Sequence, residues 1–224
     1  MAMHKKIQII TLFPEMFEGV LGSSMLWKAQ DHGIVQYEYV DLRKFGLGPR
    51  KQVDDTPYGG GDGMLLKPEP VVAAIEYART RATGHESRVL LPTPRGKLYK
   101  QSDAKRLAAK DEDLIIVCAR YEGYDERITQ WVDDSFCIGN YVLTGGEIPA
   151  MIIIDSVVRL LPGVLGGENS AEIESFQADD TTIEFPQYTR PEDFQGHKVP
   201  EVLLGGNHAR IAAWRKSHSA AAEN

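Results

Sequence analysis

Apolar residues recur along this chain with two periods, and the alternation between them predicts its elements. Ile7 to Phe13 reads as a strand, and Ile34 to Leu42 alternates apolar with polar residues, as a partly exposed strand does. Arg88 to Leu91 and Leu114 to Cys118 are short continuous apolar runs, the pattern of parallel strands covered on both faces. Ser135 to Ile138 adds a further short strand. Between these the period lengthens to that of a helix. Pro14 to Val20 opens a short one, Val71, Ala74, Ile75 and Ala78 share a face over Pro70 to Ala82, and Ser102 stands where it would cap a helix reaching Lys110. Ile148 to Leu161 is a strongly apolar helix. The order βαβα predicts an α/β fold, an open and mostly parallel sheet with helices on both faces.

Two stretches lose any period. Residues 43–67 form a long irregular segment holding Asp54-Asp55 and a glycine loop, and connections of that length are often functional. From Gly163 to Asp180 glycine, serine and acidic residues predominate, which predicts a flexible linker. Beyond it a helix over about Asn207 to His218 puts Ile211 and Trp214 together while Arg210, Arg215 and Lys216 face elsewhere. The expected organisation is an α/β domain over residues 1–162, a linker over 163–180 and a small helical domain over 181–224.

Composition narrows the class. With 224 residues, 42% hydrophobic and 25% charged, the chain has the make-up of a soluble globular protein. No apolar run approaches the eighteen or so residues of a membrane span. Lys5 and Lys6 ahead of Ile7 introduce a first strand and not a secretory signal, so Cys118 and Cys137 are expected as thiols in a cytoplasmic protein. They suggest no zinc cluster. The net charge of −7, from 25 basic and 32 acidic residues, argues against a protein that coats nucleic acid by charge alone. Local basic patches remain open: Lys97, Lys100, Lys105 and Arg106 in one place, and Arg190, Lys198, His208, Arg210, Arg215 and Lys216 in another.

Ile138 to Met151 carries the strongest chemical signal. A glycine-dense loop with one aromatic, Tyr141, runs into a helix with Pro149 in its opening turn. Such a loop offers backbone amides and a ring to something flat or anionic; a plain strand-to-helix turn would look the same. Three more blocks accompany it. Tyr121-Glu122-Gly123-Tyr124-Asp125-Glu126-Arg127-Ile128 follows an apolar strand, Pro57-Tyr58-Gly59-Gly60-Gly61-Asp62-Gly63-Met64 is a second glycine loop, and Tyr188-Thr189-Arg190-Pro191 comes late. In this order the blocks resemble the bacterial tRNA (guanine-N1)-methyltransferase family, from Leu12-Phe13-Pro14-Glu15-Met16-Phe17 to Trp214-Arg215.

That resemblance implies a SPOUT-type α/β domain with a trefoil knot, which no periodicity here predicts and which is rare among folds. It implies S-adenosylmethionine as methyl donor, held by Leu91, Pro92, Thr93 and Pro94, by Ala119, Tyr121, Glu122 and Gly123, and by Ile138, Gly139, Asn140, Tyr141, Val142, Leu143, Gly145 and Gly146. Methylating guanine N1 needs a base for its proton and a cation for the charge growing at O6. The family's pattern puts these at Glu174 and Arg159, with Glu172, Asp179 and Asp180 as nearby acids. On the RNA side it brings Asp55, Tyr58, Gly59, Ser175 and Arg190, with aromatic stacking as the common mode. This chain departs from the family at three places: Glu174 and Asn140 where aspartate is usual, and Ala119 where glycine is usual. The implied substrate is tRNA with guanosine at position 37, and the implied assembly a homodimer with shared active sites. Magnesium is associated with the family, but no metal ligand is assigned here. The rival readings are a related knotted methyltransferase on another RNA and a catalytically impaired RNA-binding protein.

Overall fold

A computed structural model describes residues 5–82, 86–165, 174–176 and 179–221. Contacts divide the chain into two units, Met1–Gly166 and Gly167–Asn224.

The first unit begins with β1 (Lys5–Thr11), α1 (Glu15–Leu21), α2 (Ser24–Asp31) and β2 (Val35–Asp41). A two-residue ladder, β3 (Asp54–Asp55) with β4 (Leu65–Leu66), leads to α3 (Pro68–Thr80). Then follow β5 (Glu86–Leu98), α4 (Gln101–Ala109), β6 (Glu112–Val117), β7 (Asp134–Cys137) and α5 (Glu147–Val158). Five strands form one sheet in the order β2-β1-β6-β5-β7, every neighbour parallel. Alternate residues serve opposite faces. Ile7, Ile9, Leu114 and Ile116 pack with α1, α2, α4 and α5, whereas Ile10, Ile115, Val117 and Val89 pack with α3. The expected parallel sheet with helices on both faces is what forms.

Two polar side chains inside the sheet donate to backbone carbonyls around its edge. The Lys5 ammonium donates to the carbonyls of Leu107, Lys110 and Glu112 at 2.8–3.0 Å, and the Gln8 amide to Ala78 at 2.8 Å. The Leu107, Lys110 and Ala78 carbonyls lie where α4 and α3 run out of intrahelical partners, and Glu112 opens β6. Burial lowers the pKa of Lys5, with Asp113, Glu112 and Asp111 opposing that shift.

Three local features differ from the sequence-based expectation. β5 does not end at Leu91 but resumes its pairing with β7 at Lys97 and Leu98, after a bulge between Pro92 and Lys97. Gly96 permits this, because a Cβ there would fall 2.4 Å from the Phe136 nitrogen. Ser102 is not the cap of α4: the helix starts at Gln101, and the Asp103 carboxylate accepts the Lys100 N–H at 3.3 Å. α2, which buries only Leu26 and Ala29, has too thin an apolar stripe to read from the pattern.

The second unit holds α6 (Glu201–Leu204), α7 (His208–His218) and two short antiparallel ladders, β8 (Thr182–Ile183) with β11 (Ala220–Ala221) and β9 (Asp193–Phe194) with β10 (His197–Lys198). Trp214 of α7 meets Phe185, Tyr188 and His218. The division after Gly166 assigns the later residues of the expected linker to this unit. Within the unit the Asp179 carboxylate accepts four hydrogen bonds from Thr181 and Thr182, which bring its pKa down to about 2. Among the described residues no helix is long and apolar enough to cross a membrane.

Candidate functional site

The bulge within β5 and the carboxyl ends of β6 and β7 border one cavity of about 510 Å³. That is the size of a small-molecule site, in the place where open parallel sheets bind ligands. Three segments wall it: the Pro92–Arg95 bulge, the loop Ala119–Tyr124 after β6, and the stretch from Phe136 to Gly146, with Pro149 in the first turn of α5. Pro92, Ile138, Val142 and Leu143 supply apolar wall; Glu122 and Glu126 supply carboxylates.

Close backbone approach sets the cavity floor. The Gly146 N–H donates to the Ala119 carbonyl at 2.8 Å, and a Cβ on Gly146 would lie 2.8 Å from both Ala119 N and Cys118 Cα. A side chain there would push α5 off the end of β6. Tyr121 adopts a left-handed backbone with φ of 61°, a conformation costing a non-glycine residue roughly 1–3 kcal/mol. Its pKa is raised, by burial first and then by Asp54, with Arg43 and Arg120 opposing.

A buried ion pair joins two of the walls. Glu147, the first residue of α5, is 1% exposed and faces Arg120 at 2.8 Å. Its other oxygen accepts from the Thr11 hydroxyl at 2.9 Å. The Nε–Oε2 approach is an ion pair without hydrogen-bond alignment. Arg120 also lies 4.4 Å over the Phe13 ring and donates to the Met16 sulfur at 2.8 Å and the Thr144 carbonyl at 3.4 Å. The exit of β1, the loop after β6 and the loop before α5 therefore share one charged node. Beside it the Cys118 thiol is pushed well up, by burial and then by Glu147.

Every residue expected to hold the donor lines this cavity except Leu91 and Asn140. Leu91 is a fully buried core residue on the α3 face, because it precedes the bulge and keeps the strand's alternation. Asn140 is exposed between two lining residues. Sequence reasoning did not pick out Arg95, Tyr124, Phe136, Cys137 or the Arg120–Glu147 pair. A lone charge ending the run Leu114 to Cys118 and an acid opening an apolar helix were the available signals.

The remaining candidates lie elsewhere. Arg159 is the half-buried C-cap of α5, about 15 Å along the helix axis from Pro149 and outside the cavity lining. Glu174 belongs to the second unit and is half-buried; Glu172 lies outside the described residues. Ser175 accepts the Glu184 N–H at 3.1 Å, and Arg190 is exposed. Asp55 pairs with Lys67 at 3.2 Å, and its pKa is lowered, first by the Thr56 amide and then by Lys67. Tyr58 stands wholly in solvent beside Gly59, whose φ is 89°. Among the described residues no group of three His, Cys, Asp or Glu side chains could hold a metal ion.

Comparison with known proteins adds a family. The model of the family described as tRNA (Guanine-1)-methyltransferase TrmD matches residues 5–223. A tRNA (guanine-N(1)-)-methyltransferase of Geobacillus kaustophilus is 52% identical over 215 residues, covering 96% of this chain and 86% of the relative. The protein of the same name in Bacillus subtilis is 53% identical, covering 96% and 87%. One from Anaeromyxobacter is 51% identical over 216 residues, covering 96% and 86%.

Proposed function

The chain belongs to the tRNA (guanine-1)-methyltransferase family, and we propose that it moves a methyl group from S-adenosylmethionine to N1 of guanosine at tRNA position 37. There the mark guards the reading frame. The observation that carries this reading is the convergence of the β5 bulge and the loops after β6 and β7 on one cavity over adjacent parallel strands.

The residues present fit the donor. Ile138, Leu143 and Pro92 suit an adenine ring, backbone amides and carbonyls suit its edge, and Glu122 and Glu126 suit a cationic amine or sulfonium. When bound, the donor supplies an electrophilic methyl group. On this reading the chain around the cavity is threaded as a trefoil. Glu174 accepts the N1 proton, and Arg159 stabilises the charge that moves onto O6.

Arg159 sits at the far end of α5 from the cavity, which supports the reading that a second copy brings its own Arg159 to the site. On α5, Ile148 and Ile152 are 47% and 42% exposed, and Val142 in the loop before it is 90% exposed, apolar surface suited to such a homodimer. Ile153 and Val157 of the same helix are core. The second unit, with Ser175 and Arg190, contributes RNA contacts, and Asp55, Tyr58 and Gly59 border the target base. The enzyme works in the cytoplasm with its tRNA, and the magnesium associated with the family is given no ligand here. Methyl transfer from labelled S-adenosylmethionine should occur to a tRNA transcript with guanosine 37 and not to one with adenosine there. Equal labelling of both would remove the proposed specificity, and labelling of neither would remove the reaction.

A further inference from the structure

A second groove, of about 510 Å³, has Arg43, Arg50, Lys51 and Asp54 as its charged lining. Tyr121 lines this groove and the donor cavity alike, so the two adjoin at that residue.

The sequence builds this rim firmly. Leu47 and Gln52 exchange backbone hydrogen bonds of 2.8 and 2.9 Å, and the Lys51 N–H donates to Gly48 at 3.1 Å, which sets Arg50 and Lys51 on a tight hairpin. Gly46 must stay glycine, because a Cβ would fall 2.1 Å from the Lys51 carbonyl oxygen. Arg43 is held by the Asp41 carboxylate at its backbone N–H, by the Leu12 carbonyl at its guanidinium, and by the Phe13 ring 5.2 Å away. The Arg43 guanidinium and the backbone that carries Arg50 and Lys51 are thus held in place before any ligand arrives.

Arg43 has the Asp41 carboxylate at 3.9 Å, but the charge of the other two is left over. Elsewhere in the first unit arginines are spent on carboxylates, as Arg88 is on Glu112 and Arg127 on Asp125. Arg50 and Lys51 are exposed and make no ion pair with any described carboxylate. In a chain of net charge −7 this rim is a local reversal of sign. Guanidinium and ammonium groups in a groove suit phosphate oxygens, and a polyanionic substrate needs such a patch where the protein as a whole repels it.

Resting on the tRNA reading above, we propose that this groove holds the phosphodiester backbone of the RNA strand beside the target guanosine, with Tyr121 as the partition between RNA and methyl donor. The groove fixes where the strand runs; the base itself is read elsewhere.

The test is anisotropy of a labelled anticodon stem–loop RNA with guanosine 37, titrated with the parent protein, with the double variant Arg50→Gln/Lys51→Gln, and with Lys28→Gln as a charge control. Salt runs from about 50 to 200 mM, and S-adenosylhomocysteine affinity is measured in parallel. The double variant should bind RNA at least about tenfold more weakly at low salt and flatten the salt slope by roughly 1 per cation removed. Its affinity for S-adenosylhomocysteine should not change, and Lys28→Gln should alter neither property. A parent that binds the RNA and a double variant with the same affinity and slope would overturn the groove. If the groove behaves as described but no 1-methylguanosine forms, the methyltransferase reading fails and the groove stands. A parent that binds no stem–loop sinks both.

Discussion

Glu147→Gln is the substitution that most sharply probes how the donor cavity is held. The carboxylate is 1% exposed and faces Arg120, whose side chain is 16% exposed, at 2.8 Å. Removing one partner of a buried pair costs about 3–5 kcal/mol, because the other charge is left without compensation. Here glutamine keeps an oxygen for the Thr11 hydroxyl, and Arg120 keeps the Phe13 face and the Thr144 carbonyl, so the low end applies, about 3 kcal/mol. For a unit of this size that is a fall in Tm of about 6–12 °C. Donor affinity should fall as well, since both loops hinge on the node. Arg120→Met should be at least as costly, leaving a buried carboxylate against Thr11 alone. The double variant should then lose less than the two singles added, by a coupling of about 1–3 kcal/mol. Thermal unfolding and calorimetric titration with S-adenosylhomocysteine give all four corners of the cycle. Single variants within about 2 °C of the parent, or strictly additive losses, would show that the pair is not the hinge described.

Four further outcomes are expected. Glu174→Gln should lower the rate of transfer by roughly 10²–10⁴-fold with S-adenosylhomocysteine affinity unchanged, read by single-turnover kinetics; full activity would remove Glu174 as the base. Gly146→Ala should cost about 1–3 kcal/mol and weaken donor binding, because its Cβ meets the backbone of Cys118 and Ala119; unaltered stability and affinity would contradict the tight floor. Cys137 lines the cavity and should be shielded from alkylation by S-adenosylhomocysteine, whereas Cys118, buried and with its thiol pKa raised, should stay unmodified throughout; peptide mass mapping decides. Burial pulls the Glu38 pKa up, but hydrogen bonds from Lys6 and Arg81 outweigh it and leave it lowered. Its contribution is therefore full above the unfolded carboxylate pKa and is lost as pH falls through the folded value. Glu38→Gln should destabilise at pH near 7 and converge on the parent in acid, and a pH-independent gap would contradict the pairing.

The fold was legible where burial imposes a pattern. Leu114 to Cys118 is apolar throughout because both faces of β6 are covered, and Val71, Ala74, Ile75 and Ala78 keep helical spacing because one face of α3 meets the sheet. It was illegible where pairing overrides local chemistry. The apolar run stops at Leu91, and proline and glycine follow at Pro92, Pro94 and Gly96, yet β7 takes up the strand again beyond them. The cavity walls showed through their glycines and prolines, which a close backbone approach demands. Arg120 and Glu147 did not, since only the fold brings the end of β6 to the start of α5. Arg159 could be placed on an apolar helix from sequence, and the structure makes it the C-cap of that helix.

The measurement closest to the central claim is nuclease digestion and mass mapping of tRNA after a single turnover with isotopically labelled S-adenosylmethionine. The account predicts one labelled nucleoside, 1-methylguanosine, at position 37. Label on another atom of guanine, on ribose, or at another position would contradict it.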